Sequence, residues 1–539
     1  MTCGKASHGA ATVGIWKMAG RSHGSQAARA WFVLAVLTLV YIISFIDRQI
    51  LSILAESIKL DLRLSDAQLG FLYGTAFAIF YALFGIPLGR VADSWNRVWM
   101  VAAGLIGWSL MTSLSGFAST FALLALARVG VGVGEASTSP AAYSLIADIF
   151  PERRRATALS IYASGLYIGL GLSLPAGGFI LSWWRTHFPT PDVAPLGLAA
   201  WQATFVALGL PGLLMAALVL GIRDPAWGER RLRGASPWRG LGEELATIVP
   251  PLTLLTAAQR SGELKINVAL LAVIGAAAAL VAVLSGDVAQ WLIYGTGVYA
   301  VASWVQALRH RDAATFRLIW GTPAVVALVI AFGAIAFITY STGFWASPYA
   351  LRTFYAGSDA PSHFLPRLTA LQEVSTLVGS GSALGSALGV ICGGLVADRW
   401  RRSDPRGRLF TVAASLILSA PLTVLMFTTG DPLLYFLLVP ATTFVSSAWS
   451  GAAIATINDL VLPRMRATAG ATFLLGMSLV GLALGPYITG KIGIATGSLR
   501  FGVFSLYLVA PFVLAVLWRV SPRLTALEST REARAAGDR

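Results

Sequence analysis

Apolar residues in this chain come in runs of about 20, the length a helix needs to cross a hydrocarbon core, parted by short charged or Pro/Gly-containing joints. Six runs fall at 31–54, 67–90, 98–117, 121–147, 157–181 and 201–222, and six more at 318–347, 373–397, 409–428, 432–457, 467–490 and 500–520. Two further runs, 266–285 and 288–308, flank the tight polar turn Gly286-Asp287 and predict a helical hairpin between the two sets. The pattern predicts an all-α polytopic membrane protein of fourteen spans, or twelve if the hairpin does not cross. Its parts are a basic tail (1–30), a six-helix half (31–222), a linker (223–265), the hairpin with a basic joint (266–317), a second six-helix half (318–520) and a polar tail (521–539). That last tail is expected to be solvated and partly disordered.

Composition agrees with a membrane protein, since 12% of residues are charged against roughly a quarter in a soluble domain. The net charge of +15 does not point to nucleic acid, because Lys and Arg gather in the joints, where they orient spans. Residues 1–30 hold Lys5, Lys17, Arg21 and Arg29 and no acid. The run that follows lacks a small-residue cleavage site, so a retained first helix is expected rather than a signal peptide. The basic tail, Arg153-Arg154-Arg155, the linker with Arg230, Arg231, Arg233 and Arg239, and the loop with Arg399, Arg401, Arg402, Arg406 and Arg408 all fall on one side. Lys and Arg concentrate in cytoplasmic loops, which places both termini in the cytoplasm and the chain in the inner membrane. Cys3 and Cys392 show no metal or disulfide spacing, and no cofactor is expected.

The halves repeat each other. Asp148, Arg155, Ala156, Thr157, Ala158, Gly165 and Pro175 recur as Asp459, Arg466, Ala467, Thr468, Ala469, Gly476 and Pro486 at one constant offset. Gly89, Val91, Ala92 and Asp93 recur as Gly394, Val396, Ala397 and Asp398. Repeated halves place a substrate site near the membrane midplane at their interface. The hairpin interrupts the repeat without a counterpart, so it is expected to be an accessory pair outside the bundle.

The charges inside spans are the candidate chemistry. Asp47 and Arg48 sit within the first run; Arg128 and Glu135 sit in the fourth, seven residues apart and hence nearly on one face, about 10 Å apart along the axis. Charges at such depth are costly and face a partner or a wet cavity. Arg48 lies about 100° round the helix from Asp47 and is expected to face a different neighbour. Arg128 is expected to be the guanidinium that competes with a proton for Glu135. Tyr340, Phe344, Trp345 and Trp449 could line an apolar path or serve as core or interface belt.

Several strings resemble a known family. Gly89-Arg90-Val91-Ala92-Asp93-Ser94-Trp95-Asn96-Arg97 resembles the loop signature of the major facilitator superfamily, with Asn96 at a position usually held by Gly and tolerant of a left-handed turn. Its copy keeps Gly394, Asp398 and Arg399. The resemblance implies a gating role for Gly89, Asp93, Arg97, Gly394, Asp398 and Arg399. Gly165, Pro175, Gly177 and Gly178, with Gly485 and Pro486, resemble the Gly-Pro motif of antiporter-type members, though close helix packing alone explains small residues equally well.

Phe45-Ile-Asp47-Arg48-Gln49, Arg128 to Ser137 and Asp148-Ile-Phe150-Pro151 are similar to signatures of the spinster-like branch, whose usual pattern has twelve helices. That resemblance implies a major facilitator fold of two six-helix halves. It also implies a monomeric, proton-coupled secondary transporter of a lysophospholipid- or sphingolipid-like amphiphile in contact with membrane lipids, with Asp47, Arg48, Arg128, Glu135, Tyr340 and Trp345 as substrate- or proton-binding residues. A proton-driven transporter of a small organic anion or drug is the alternative within the class. A membrane-embedded enzyme or transport-dead sensor is disfavoured, since no His pair, Ser/His/Asp set or Walker-type loop stands on the spans and energy must then come from a gradient.

Overall fold

The computed structural model describes residues 11–537 except 226, 228–236, 261, 356 and 358; Arg230, Arg231 and Arg233 of the linker and residues 1–10 of the tail lie outside it. Among the described residues the chain is helical, with a single isolated bridge between Pro361 and Thr369. The first half comprises α1 (Ala28–Leu62), α2 (Asp66–Ala92), α3 (Arg97–Ser115), α4 (Phe121–Ile149), α5 (Thr157–His187) and α6 (Ala200–Leu220). The linker holds α7 (Pro237–Ile248), and the hairpin is α8 (Glu263–Ser285) and α9 (Val288–Arg311). The second half comprises α10 (Pro323–Phe354), α11 (Ala370–Ser403), α12 (Gly407–Thr428), α13 (Pro432–Asp459), α14 (Pro463–Thr496) and α15 (Leu499–Ser529).

Thirteen of the described helices are both long and apolar enough to cross a membrane, against fourteen expected. The one outside that set is α9, which has the length at 24 residues but buries Gln290, Ser303 and Gln306. Several spans are broken where function gathers. The fourth is interrupted directly after Glu135, at Ala136-Ser137, and its repeat breaks at the corresponding place before Ser450. In the second, Gly74 marks a kink, and a Cβ there would stand 2.2 Å from the carbonyl oxygen of Leu482 on α14. Only glycine admits so close an approach of two backbones.

The two halves meet tightly at one end. There Arg352 of α10 binds Asp66 at 2.6 Å and Glu56 at 2.6 Å, Lys59 binds Asp66 at 2.6 Å, and Arg185 of α5 reaches Asp359 at 3.2 Å and Ser57 at 2.9 Å. Ser52 Oγ donates to the carbonyl of Phe344 at 2.7 Å. At the other end, that of the Gly89–Arg97 loop, the halves part around a cavity of about 1330 Å³. The molecule is thus open at the loop end and closed at the opposite one.

Two expectations need correction. The C-terminal segment is ordered helix against the loop end: Leu524 and Ala535 are buried, Glu528 binds Arg401 at 3.1 Å, and Arg534 donates to Thr322 at 2.9 Å. Its arginines find hydroxyl and backbone carbonyl acceptors, Arg534 on Thr322 and Leu527 and Arg531 on Asp459, so solvation is not their only outlet. The hairpin is no bystander either. While α8 presents Val273, Leu280 and Val283 outward, α9 packs along α2 and α14, in the seam between the halves.

Candidate functional site

Three buried charges, Asp47, Arg128 and Glu135, and the partly buried Arg48 converge where α1 crosses α4. Glu135 Oε1 accepts a hydrogen bond from Ser44 Oγ at 2.6 Å and pairs with the Arg48 guanidinium. That guanidinium lies over the rings of Phe45 and Phe77, each 4.6 Å from the centroid, and of Tyr81 at 4.9 Å, an aromatic cage suited to a desolvated cation. Thr112 Oγ1 donates to Asp47 Oδ2 at 3.3 Å, and Arg128 Nη1 donates to the backbone carbonyl of Asp47 at 3.3 Å. Asp47 and Arg128 are wholly buried, and Glu135 is 3% exposed.

The cluster is only partly satisfied from within the protein. Asp47 Oδ1, Glu135 Oε2 and Arg128 Nε and Nη2 are buried yet make no hydrogen bond to any described residue. Buried polar atoms are nearly always paired, so orphans mark a place for another ligand, a proton or water. The structure therefore brings Asp47, Arg48, Arg128 and Glu135 together but pairs them differently from expectation. The partner of Glu135 is Arg48, not Arg128. A 100° step separates Asp47 from Arg48, yet α1 is enclosed on several sides, and a long guanidinium reaches α4 from the flank while Asp47 turns toward α3.

Tyr340 and Trp345 are about 140° apart on α10 and cannot share a face. Neither lines the cavity; Tyr340 is half-buried, and Trp345 is wholly buried with its Nε1–H donated to the Pro486 carbonyl at 3.0 Å. Trp345 thus packs within the closed end. Phe344 stacks on Tyr73 at 4.3 Å, and Trp449 packs on Phe332 at 6.2 Å. Sequence reasoning missed Tyr81, which lines the cavity and also cages Arg48, and with it Ser44, Thr112 and Phe77. The spacing of Phe77 and Tyr81, one helical turn apart on α2, was a legible signal for an aromatic face.

At the loop end, the wholly buried Arg97 holds Asp148 at 2.7 Å, Asp224 at 2.8 Å and Ser144 Oγ at 2.8 Å, tying the start of α3 to the end of α4 and the segment after α6. Asn96 has φ −71° and ψ 113° and caps α3, accepting from the N–H groups of Val98 at 3.0 Å and Trp99 at 3.2 Å. It is an N-cap, not a left-handed turn residue, because the chain enters α3 directly. The side chain of Asp93 lies outside the described residues. In the copy, Asp398 is exposed and 3.4 Å from Arg408, while Arg399 is exposed. Asp459 is instead held by Arg408 and by Arg401 at 2.6 Å. Arg408, at the repeat offset from Arg97, takes the corresponding place in the second half.

Gly89 lines the mouth of the cavity, and Gly394 has open space about it. The Gly-Pro residues all serve close packing. Gly165 and Gly177 abut α1, Pro175 and Gly178 abut Gly379 and Ser375 of α11 across the two halves, Gly485 abuts Phe337 of α10, and the Pro486 carbonyl lies 2.4 Å from where a Cβ on Gly70 would stand.

The cavity reaches from the loop end to Tyr81 and Ala136, so the charged cluster sits one layer of side chains beyond its floor. Its wall draws on α2, α4 and α5 of one half, α11, α13 and α14 of the other, and α9.

The sequence profile of the Major Facilitator Superfamily matches residues 37–403. An "MFS-type efflux pump" of Mycolicibacterium smegmatis is 28% identical over 471 residues, which cover 87% of this chain and 85% of that protein. Human "Protein spinster homolog 1" is 27% identical over 484 residues, covering 89% of this chain and 75% of that one. Among solved structures, a bacterial homologue of the human lysosomal transporter Spinster, in an inward-facing and occupied conformation, superposes with a TM-score of 0.61 at 24% identity, covering 94% of this chain and 93% of that one. The profile match across most of the chain and the shared fold together assign it: the chain belongs to the Major Facilitator Superfamily, and within it resembles the spinster-like transporters.

Proposed function

We propose that the protein moves a small lysophospholipid- or sphingolipid-like amphiphile across the inner membrane by alternating access, driven by protons, with both termini in the cytoplasm. Membership of the superfamily makes the chain a secondary transporter. The observation that carries the finer reading is the juxtaposition of a large cavity with leucine, isoleucine and aromatic walls and, just beyond its floor, a set of two buried carboxylates, one buried guanidinium with orphaned donors and one partly buried guanidinium. An apolar tail occupies the first, and an anionic head group is drawn to the second. One relative is an efflux pump, and outward movement of the cargo would match it.

The coupling scheme follows from the pairing. Glu135 is held by Arg48 and Ser44, and Asp47 by Thr112 with Arg128 beside it. A head group arriving at the free donors of Arg128 offsets the positive charge beside Asp47, which favours a proton on that carboxylate. Proton and substrate binding are then linked, and linkage is reciprocal. No cofactor enters the scheme, and one chain contains the whole site. The open donors of Arg128 also favour a second reading, a small organic anion or drug as cargo. Proteoliposome uptake of a panel of lysolipids and organic anions, with and without an imposed pH gradient, separates the two. Gradient-dependent accumulation of lysolipids supports the proposal, and accumulation of organic anions alone overturns it.

A further inference from the structure

The hairpin that interrupts the repeat builds part of the cavity. Trp304, Ala307, Leu308 and Arg311, on successive turns of α9, line it together with residues of α2 and α14. This helix is seated by specific contacts on both halves. A Cβ on Gly297 would stand 2.6 Å from the Ile79 side chain of α2. Gln290 accepts from Thr75 of α2 at 2.7 Å, and Asp287 binds Lys491 at 2.6 Å and Tyr487 at 2.8 Å, both on α14. At the loop end Arg311 binds Glu244 of α7 at 2.6 Å, and Glu244 also meets Arg90 of α2 at 3.5 Å. A helix clamped to both halves at one end and, through Glu244, to α2 at the other is not a loosely tethered accessory.

Its partner differs in kind. The first hairpin helix, α8, is almost entirely exposed along its apolar run; Asn267 bonds to α9 through Ser303 at 3.2 Å and Gln306 at 2.6 Å, and Glu263 meets Gln306 as well. Lipid thus touches α8, whereas α9 presents one face to α8 and the other to the cavity.

We propose that α9 is a wall of the substrate cavity, closing the α2–α14 side against lipid, and that Trp304 and Leu308 contact the apolar part of the cargo and set the cross-section admitted. The amphiphilic nature of the cargo rests on the function proposed above; the wall does not. A cargo of this class then enters from the open end or past the α5–α11 side, and a bulky side chain at 304 selects slender acyl chains.

The test uses the full chain in lipid nanodiscs, with Cys3 and Cys392 replaced by Ser and single cysteines at Trp304→Cys, at Leu308→Cys as a second variant should the first fold poorly, at Tyr81→Cys in the first-half wall, and at Leu271→Cys. Leu271 is at matching depth on the outward face of α8. A membrane-impermeant maleimide should label the α9 cysteine about tenfold or more faster than Leu271→Cys, because the thiolate is the reactive form and apolar lipid suppresses it. Lysophosphatidylethanolamine should protect both the α9 cysteine and Tyr81→Cys. Equal labelling of the α9 cysteine and Leu271→Cys overturns the wall. Protection of Tyr81→Cys without protection on α9 overturns the cargo contact. Fast labelling on α9 with no protection at either cavity position leaves the wall standing and overturns the amphiphile as cargo.

Discussion

The two halves share an architecture but not a chemistry, and the sharpest contrast is between α4 and its repeat α13. At the offset that sets Asp148 against Asp459, Arg128 corresponds to Val439 and Glu135 to Ser446. In the first half Glu135 takes Ser44 and Arg48 of α1; in the second, the backbone carbonyl of Ser446 takes the Thr339 hydroxyl of α10 at 3.3 Å. The same two helices therefore meet in both halves, once through ions and once through neutral groups. The loop-end clamp, by contrast, survives in both, as Arg97 with Asp148 and Arg408 with Asp459. On the proposed alternating-access scheme, moving parts are duplicated because both halves rock, whereas a proton or head group would need only one site.

Breaking the ionic side of this comparison gives the largest expected effect. Glu135→Gln and Asp47→Asn should each lower pH-driven accumulation by roughly 10- to 100-fold, the rate equivalent of a lost charge-assisted interaction of about 1.5–3 kcal/mol, while sparing exchange. Arg128→Ala should lose binding of anionic substrates, whereas Val439→Ala and Ser446→Ala should leave accumulation near the parent's. Uptake with and without a gradient, beside equilibrium binding, reads all five; normal accumulation in both carboxylate variants would remove the coupling assignment.

Next in size is stability at the clamps. Arg97 and Asp224 are both wholly buried at the side chain, and removing one partner of a buried pair costs about 3–5 kcal/mol. Arg408 and Asp459 are partly exposed, and Arg401 remains on Asp459 when Arg408 is lost, so about 1 kcal/mol is expected there. Denaturation of Arg97→Ala and Arg408→Ala in detergent should therefore give clearly separated midpoints. Coincident midpoints would show the halves equally dependent on their clamps.

How far this asymmetry could be read from sequence differs by level. Span positions follow from run length, because lipid leaves the backbone no alternative to helix. The repeat placed Asp148 opposite Asp459, and depth singled out Asp47, Arg48, Arg128 and Glu135. Pairing was not legible: spacing along α4 put Arg128 near Glu135, but which guanidinium reaches the carboxylate depends on how α1 is rotated against α4. The role of α9 was hidden for a similar reason. A helix without a repeat counterpart looks dispensable until its Gly297 is found against Ile79 and its Trp304 in the cavity wall. Motif matching also named Arg399 in the copied loop, whereas the arginine that holds Asp459 as Arg97 holds Asp148 is Arg408, because the copied loop is longer and that arginine opens α12.

A smaller effect is expected at the closed end. Arg352 is about a quarter exposed and shared between Glu56 and Asp66, so Arg352→Ala should weaken closure by about 1 kcal/mol, roughly a fivefold shift in the ratio of the two facing states. Spin-label distances between the ends of α1 and α10 should show a larger population with that end parted. An unchanged distribution would mean that the remaining contacts, Arg185 with Asp359, Ser52 with Phe344 and the packing of α2 on α14, hold the end shut without Arg352.

The smallest effect should come from Asp398, and it sharpens the comparison most finely because motif matching gives it the same rank as Asp93. Its carboxylate is two-thirds exposed and only 3.4 Å from an arginine that already binds Asp459. A screened, shared contact of this kind contributes about 0–1 kcal/mol, so Asp398→Asn should shift the facing equilibrium by less than about fivefold and leave the denaturation midpoint unchanged. Asp459→Asn should do more, since it removes the negative charge paired with both Arg401 and Arg408 and sets an amide beside two guanidiniums at the end of α13. If spin-label distributions in Asp398→Asn move as far as those in Asp459→Asn, the copied loop keeps a gating duty of its own, and the second half would be governed by its motif rather than by the clamp on Asp459.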